Sequence, residues 1–112
     1  MKKDSLIIAN WKMNLNINSS EELVLAVKEF VKVENFNSMV IFCPQHLLIH
    51  NLSGLFDDQS QLFLGAQDCH NHISGAYTGE NSIELLKIFN CKYVIVGHSE
   101  RRKLYGESNR LI

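Results

Sequence analysis

The stretch KYVIVGHSERR, residues 92–102, decides the fold of this chain. Tyr93–Val96 is a short uncharged run rich in β-branched residues, which is typical of a strand in a parallel sheet with both faces covered. Gly97 allows the backbone to turn, and Ser99–Glu100 favours the first turn of a helix, where free N–H groups and the helix dipole favour oxygen atoms and negative charge. His98 is therefore predicted to stand at the carboxyl end of a buried strand, beside the N-terminus of a helix.

Three further strand-like runs precede this stretch, and helical patterns separate them. They are predicted at Ser5–Trp11, Met39–Cys43 and Leu62–Ala66. Strands that alternate with helices in this way form a parallel sheet with right-handed crossovers. The sequence therefore predicts an α/β fold with the order β-α-β-α-β-α-β-(α).

Caps and apolar spacing mark the three intervening helices. Ser19 and Glu22 match a capping box that would begin the first helix. Pro44 ends the second strand and leads into the second helix, and Ser82 would cap the third. The predicted apolar stripes are Leu23, Val27, Phe30 and Val31 in the first helix, Leu47, Leu48, Leu52 and Leu55 in the second, and Ile83, Leu86 and Phe89 in the third.

Composition is that of an ordinary globular protein and argues against several functional classes. The 112 residues are 46% hydrophobic and 21% charged, which suffices for one small domain with a core. A net charge of −1 gives no electrostatic reason to expect nucleic acid or an anionic membrane as a partner. No apolar run approaches the ~20 residues that span a bilayer, and the run behind the N-terminal lysines is too short for a signal peptide.

The cysteines and histidines form neither a disulfide pattern nor a metal-binding pattern. Cys43, Cys69 and Cys91 are odd in number and far apart, as expected of reduced thiols in a cytoplasmic protein. The cluster Cys-His-Asn-His at residues 69–72 has no second ligand pair at zinc spacing. These four residues are expected to lie exposed in a loop, and no metal or cofactor is predicted.

Two segments depart from the regular alternation. Residues 68–81 lack apolar periodicity, although βα connections usually take about 2–6 residues, and a loop of this length is usually functional. Gly106 interrupts the chain after the fourth strand, and Ser108–Ile112 is typical of a cap followed by one helical turn. Since so short a helix does not form alone, we expect the chain to stop inside an element and to be the front part of a longer protein.

Polar side chains follow the strands at the rim where the carboxyl ends of a parallel sheet meet. Asn10 and Lys12 follow the first strand, Gln67 the third, and His98 with Glu100 the fourth. An amide, an ammonium group and a neutral imidazole on one rim suit a small anionic substrate that has a carbonyl group to polarise.

Each of these residues, taken singly, has an ordinary structural explanation. A lone histidine after a strand is more often structural than catalytic, and a lone lysine is usually solvated. Gln67 fits a ligand shell and structural hydrogen bonding equally well. Arg101 and Arg102 could form ion pairs or part of a dimer rim, and the sequence does not decide between these.

Four motifs occur in order between Ser5 and Ile112: ANWKMN at residues 9–14, GAQD at 65–68, GAYTGE at 75–80 and VGHSERR at 96–102. With their spacing, they resemble the N-terminal half of triosephosphate isomerase. The resemblance implies the (β/α)8 TIM barrel. Residues 1–112 would then be the first four βα units of a single barrel domain, a half-barrel of parallel strands truncated in the fourth helix.

The resemblance also implies a reaction, the isomerisation of glyceraldehyde 3-phosphate and dihydroxyacetone phosphate through an enediol(ate) in glycolysis and gluconeogenesis. Asn10 and Lys12 match the family's substrate-binding pair, and Lys12 would face the developing oxyanion. His98 matches the electrophile that polarises the carbonyl, which this family is known to keep neutral at a helix N-terminus. Glu100 matches the carboxylate that supports the lysine. Thr78 matches the tip of a loop that braces the partner's active site in a homodimer.

Other parts of the family's site have no counterpart in these residues. The glutamate base, the closing lid and the phosphate-binding glycine loop belong to the family's second half, so the isolated chain is predicted to be inactive and to need a complementary C-terminal half. Ile83 also replaces the proline that the family usually has at the first turn of this helix.

The alternative function is non-catalytic. A half-barrel has open edges and an uncovered inner face, which favour association, so the chain could be an assembly module or a degraded gene product. A further alternative, another phosphate-binding βα barrel, would make the motifs at the first and fourth strands coincidental.

Overall fold

Four strands alternate with four helices in the computed structural model, which describes residues 5–57 and 60–112. The strands form one sheet in the order β1-β2-β3-β4, and every neighbouring pair is parallel. The predicted α/β half-barrel of parallel strands is therefore confirmed. The elements are β1 (Leu6–Asn10), α1 (Ile17–Val33), β2 (Met39–Cys43), α2 (His46–Ser53), β3 (Leu62–Ala66), α3 (Ile83–Ile88), β4 (Cys91–Val94) and α4 (Ser99–Tyr105).

The hydrophobic core lies between the sheet and the helices. Trp11 and Phe42 meet edge to face with ring centroids 5.7 Å apart, and Phe42 meets Phe56 in the same way at 6.0 Å. Aromatic pairs in this geometry add to the stabilisation that burial provides. The core cluster consists of Trp11, Val24, Val40, Phe42, Leu48, Ile49, Leu52, Phe56, Leu62, Leu64, Ala66, Leu86 and Cys91.

The opposite face of the sheet is only partly covered. Ile8 pairs with Ile41, and Ile41 pairs with Phe63, so the three side chains share this face. Ile41 on a central strand is buried, whereas Ile8 on the edge strand is 55% exposed. The radius of gyration of 15.1 Å also exceeds the about 13 Å expected of a compact domain of this length. The sheet is therefore open, with apolar side chains exposed at its edge.

Gly65 is a position where the sheet leaves no room for a side chain. A Cβ atom there would lie 2.9 Å from Cys43 Sγ and 3.1 Å from Ile41 Cγ2. The pairing of β3 with β4 shifts by one residue at this point, between Leu64 and Gly65. The glycine of the second motif thus lets neighbouring strands pack closely just before the polar rim.

The N-cap of the first helix lies three residues earlier than predicted. Asn16 is its N-cap: the Asn16 Oδ1 atom accepts a hydrogen bond from Ser19 N at 2.9 Å, and Ser19 Oγ accepts one from Asn16 N at 2.9 Å. Asn caps helices as well as Ser does. Ser19 therefore takes the return position of a reciprocal capping box, and the predicted start at Ser19 was wrong.

Four apolar residues of the predicted helix stripes are exposed: Leu23, Phe30, Leu47 and Ile83. Leu47 in α2 is 91% exposed, while Leu48 and Leu52 of the same helix are buried. In α1 the buried apolar residue is Val24, and Phe30 is half exposed. Ile83, at the start of α3, is also exposed. A shift of one residue in the phase of a short helix is enough to turn a side chain from the core to solvent.

The fourth strand begins and ends two residues before the predicted run. It spans Cys91–Val94, and Tyr93, Val94 and Val96 are all exposed, so the prediction of a buried strand was wrong. The reason is its place at the edge of an open sheet. Ile95 N still donates to Ala66 O at 2.9 Å, which carries the pairing one residue past the assigned strand.

The end of the chain follows the predicted pattern. α4 stops at Gly106, which adopts the left-handed conformation with φ 70°. Ser108 then caps a single turn, because its carbonyl accepts from Leu111 N at 3.1 Å and Ile112 N at 3.2 Å. Within residues 5–57 and 60–112, no helix combines the length and apolarity needed to cross a bilayer.

The two leucines of α2 give a matched test of this core. Leu52→Ala removes a fully buried side chain and is expected to lower the free energy of unfolding by about 2–5 kcal/mol. Leu47→Ala makes the same chemical change at an exposed site and is expected to shift it by less than about 0.5 kcal/mol. Urea unfolding followed by circular dichroism measures both, and equal losses would contradict the packing described here.

Candidate active site

The end of β1 places an amide and a lysine at the rim of the sheet. Asn10 is the last residue of the strand, and its Oδ1 atom accepts a hydrogen bond from Lys12 N at 3.0 Å. Lys12 adopts a left-handed backbone with φ 55°. Such a conformation costs a non-glycine residue roughly 1–2 kcal/mol, so the contacts around Lys12 must hold it in place.

His98 forms the N-cap of α4 with its own side chain. Its Nδ1 atom accepts a hydrogen bond from Glu100 N at 3.0 Å. A backbone N–H can only donate, so Nδ1 carries no proton, and the proton of the neutral ring lies on Nε2. For the same reason, the 3.6 Å approach of His98 Nδ1 to Glu100 Oε1 is not an ion pair. The sequence predicted a histidine beside a helix start; the structure makes this histidine the cap itself.

An ion pair joins the ends of the first and fourth strands. Lys12 Nζ lies 3.1 Å from Glu100 Oε2, and both side chains are about half exposed, at 53% and 49%. Exposed pairs of this kind contribute only ~0–1 kcal/mol to stability. The pair therefore orients the lysine toward α4 more than it stabilises the fold.

Four of the five predicted site residues are linked through these contacts. Asn10 bonds Lys12, Lys12 bonds Glu100, and Glu100 bonds His98. Among the residues that the structure describes, Thr78 is not part of this linked group. The set combines an ammonium group, an imidazole N–H and an amide at one rim, a combination that can polarise a carbonyl and offset negative charge on its oxygen.

Thr78 lies exposed at a tight turn in the long loop. Glu80 N donates to Tyr77 O at 3.0 Å across the turn, and Gly79 between them has φ 90°. A positive φ at the third position of such a turn requires glycine. His70 N donates to Asn81 O at 2.9 Å, which closes the base of the loop.

Aromatic rings pack against each other inside this loop. The Tyr77 ring lies 4.3 Å from that of His70 and 4.6 Å from that of His72, measured between centroids. Cys69 and His70 are half-buried, so the expectation that residues 69–72 are all exposed was wrong for these two. Within the two described segments, no group of three or more His, Cys, Asp or Glu residues could hold a metal ion.

A family profile described as triosephosphate isomerase matches residues 5–112. The chain belongs to the triosephosphate isomerase family. It is 43% identical over 107 residues to triosephosphate isomerase of Aquifex aeolicus, covering 96% of the chain and 42% of that relative. It is also 39% identical over 109 residues to the enzyme of Amoebophilus asiaticus, covering 96% of the chain and 43% of that relative.

The chain thus spans less than half the length of these curated relatives. A third, triosephosphate isomerase of Vibrio sp. (strain ANT-300), is 41% identical over 110 residues, which are 98% of the chain and 43% of the relative. Membership of the triosephosphate isomerase family, with its (β/α)8 barrel, agrees with the four parallel βα units seen here. The resemblance inferred from the four motifs is confirmed.

In this member of the triosephosphate isomerase family, Arg101 ties three segments together. Its Nε atom lies 2.8 Å from Glu107 Oε2 and 3.3 Å from Asp68 Oδ1, and its guanidinium group stacks over the Tyr105 ring at 5.0 Å. Arg102 instead donates to Gly97 O at 2.8 Å and to Asn109. The sequence left open whether these arginines form ion pairs, and Arg101 does so.

The surroundings of Asp68 in this cluster disfavour the charged form of its carboxyl group. Burial raises the pKa of the Asp68 carboxyl, and the nearby Glu107 and Glu80 raise it further, against the lowering effects of Arg101 and of a hydrogen bond from the Cys69 backbone. Burial likewise raises the pKa of the Cys43 and Cys91 thiols to about 11. These two thiols stay protonated at neutral pH and are poor nucleophiles.

Replacing Asp68 with asparagine tests the cluster. A carboxyl whose pKa is higher in the folded state stabilises the fold at low pH, below its unfolded pKa of about 3.9, and loses that stabilisation as the pH rises through the folded pKa. Asp68→Asn removes the partly buried charge and is therefore expected to raise the melting temperature at pH 7, with the gain shrinking toward pH 4. Glu22→Gln on the exposed side of α1 is the control. A lower melting temperature for Asp68→Asn at pH 7 would show that the ion pair with Arg101 stabilises the fold by more than the burial of the Asp68 charge costs.

Proposed function

We propose that this chain supplies the N-terminal part of a triose-phosphate isomerase, which interconverts D-glyceraldehyde 3-phosphate and dihydroxyacetone phosphate in glycolysis and gluconeogenesis. The observation that carries the proposal is the linked group at the rim, in which Lys12 and His98 both contact Glu100. Family membership supplies the reaction, and the geometry of these side chains suits it. Residues 1–112 would be the first four βα units of a single barrel domain.

Each residue of the group has a role in the proposed reaction. The His98 Nε2–H would donate to the substrate carbonyl oxygen, because Nδ1 is engaged by the helix. The Lys12 ammonium group would offset the negative charge that develops on that oxygen in the enediolate. Asn10 would contact the substrate and hold the Lys12 backbone, and Glu100 would orient Lys12. The half-exposed state of Lys12 and Glu100 leaves the lysine accessible to an anionic substrate.

Proton abstraction would come from outside these residues. By resemblance to the family, the glutamate base, the lid and the phosphate-binding loop belong to the second half of the barrel, which the chain does not span. A complementary C-terminal half would supply them and would cover the exposed face of the sheet at Leu6 and Ile8, which are 50% and 55% exposed. The isolated chain would then be inactive.

The loop that carries Thr78 would contact a second subunit. Its turn is exposed and contains Gly79 with a positive φ, and a backbone hydrogen bond closes its base. The loop therefore has a defined conformation in the chain itself. In a homodimer of the assembled protein, this loop would brace the partner's active site. The proposed location is the cytoplasm, where the reduced cysteines Cys43, Cys69 and Cys91 would be stable.

The exposed inner face also favours the second candidate, a non-catalytic half-barrel that acts as an assembly module. Both edge strands contribute exposed apolar residues, among them Ile8 and Tyr93, and uncovered strand edges promote association. This candidate shares the fold with the first and differs in predicting that the rim residues have no kinetic effect.

A chimaera separates the two candidates. Residues 1–112 are joined to the part of the Aquifex aeolicus relative that follows the aligned region, and isomerase activity is measured with a coupled dehydrogenase. The chain alone is expected to give no turnover, and the chimaera is expected to be active. Lys12→Met should lower its kcat by about 10²–10³-fold, since it removes the charge that faces the oxyanion.

Lys87→Met, which removes an exposed lysine on α3, is the control and should leave kcat unchanged. Normal turnover by the chain alone would refute the division of the site between two halves. An active chimaera in which Lys12→Met has no effect would refute the role of Lys12. A folded but inactive chimaera, together with association of the chain alone in sedimentation, would favour the assembly module.

A further inference from the structure

Both peptide groups of Lys12 are held by side-chain amides. On one side, Lys12 N donates to Asn10 Oδ1 at 3.0 Å. On the other, the Gln67 Nε2 atom donates to Lys12 O at 2.7 Å. The strained left-handed backbone of Lys12, with φ 55°, is thus clamped from the end of its own strand and from the end of β3. A conformation of this cost persists only where its surroundings impose it.

Gln67 also anchors this clamp to the centre of the sheet. The same Nε2 atom donates to Cys43 O at 2.9 Å, and Cys43 is the buried last residue of β2. Cys43 O accepts a second hydrogen bond from Trp11 N at 3.0 Å. The carbonyl of Lys12 is therefore linked, through one side-chain NH₂ group, to the buried end of a central strand.

We propose that Gln67 is a positioning residue for Lys12: it sets the backbone from which the ammonium group reaches Glu100. The inference rests on the proposed function of Lys12. The chemistry demands an amide, because both N–H donors of the NH₂ group are used on carbonyl oxygens. A carboxylate of the same length would face two carbonyl oxygens without a donor, and an apolar side chain would leave both carbonyls without this partner.

The other end of β3 provides a matched comparison. Gln61 lies just before the strand, and its Nε2 atom also donates to two backbone carbonyls, Phe36 O and Ser38 O, each at 2.6 Å. The two glutamines thus make the same kind of bridge at opposite ends of one strand. Only Gln67 acts on a residue of the linked group, so Gln61 shows what a purely structural bridge contributes.

The first experiment observes the backbone of Lys12 without any assay of activity. Gln67→Met keeps the length of the side chain and removes the NH₂ group; Gln61→Met makes the same change at the control position. In three-dimensional NMR spectra of the labelled 112-residue chain, Gln67→Met is expected to shift the carbonyl and Cα resonances of Lys12, and Gln61→Met is expected to leave them in place. Unchanged Lys12 resonances in Gln67→Met would overturn the proposal.

The second experiment is a double-mutant cycle in the active chimaera. Gln67→Met should lower kcat/KM by about 10- to 100-fold, the scale of loss for a misplaced catalytic group. In the Lys12→Met background it should have no further effect, because the group that it positions is gone. A merely structural glutamine would lower kcat/KM equally in both backgrounds, and that result would overturn the proposal.

Two further variants keep the test decisive. Gln61→Met should leave kcat/KM unchanged in both backgrounds. Gln67→Asn retains the NH₂ group on a side chain one methylene shorter, which cannot bridge both carbonyls, and it enters the same cycle if Gln67→Met does not fold. If Lys12→Met itself leaves kcat unchanged, the proposed function fails. If Lys12→Met is impaired but Gln67→Met and Gln67→Asn are not, only the positioning role fails.

Discussion

Parallel pairing of four consecutive strands is the constraint on which the rest of this structure depends. Because all four strands run in the same direction, their carboxyl ends meet at one rim, and the polar residues that follow each strand become neighbours. This brings Lys12 within 3.1 Å of Glu100 although the two residues are 88 positions apart in the sequence. The same arrangement puts the helices on one face only, so the other face is left partly exposed.

The rim contains unusual local conformations as well as the polar side chains. Lys12 has a left-handed backbone, and His98 uses its ring to cap a helix of only seven residues. The ion pair of Lys12 contributes little to stability, since both of its side chains are about half exposed. A hydrogen bond from Lys12 N to Asn10 Oδ1 and one from Gln67 Nε2 to Lys12 O hold the lysine where the backbone alone would not. Stability comes instead from the hydrophobic core between the sheet and the helices. This core allows the strained backbone of Lys12 to persist at the rim.

Sequence reasoning was most accurate where burial alone decides the structure. β2 and β3 were predicted with the bounds that the structure has, because continuous apolar runs suit strands covered on both sides. β4 was misplaced by two residues, because edge position depends on which strands are present and not on local composition.

Four of the five site residues were expected to share a rim, and the structure brings them together. The capping role of His98 and the Gln67–Lys12 bond were missed. The Gln67–Lys12 bond joins residues that are 55 positions apart in the sequence, and only the polar residue type at the strand end signalled it. The His98 cap is local, two residues from Glu100, but histidine is not among the residues that ordinarily cap helices.

The protonation of the His98 ring shows whether His98 caps α4 and can donate from Nε2, and its measurement requires neither the second half of the barrel nor a substrate. Long-range ¹H–¹⁵N spectra of the ¹⁵N-histidine-labelled chain distinguish the two ring nitrogens. A neutral ring is expected, with its proton on Nε2 and with Nδ1 free to accept from Glu100 N. A proton on Nδ1 would contradict this expectation, since the ring could then neither cap α4 nor be held ready to donate to a substrate carbonyl.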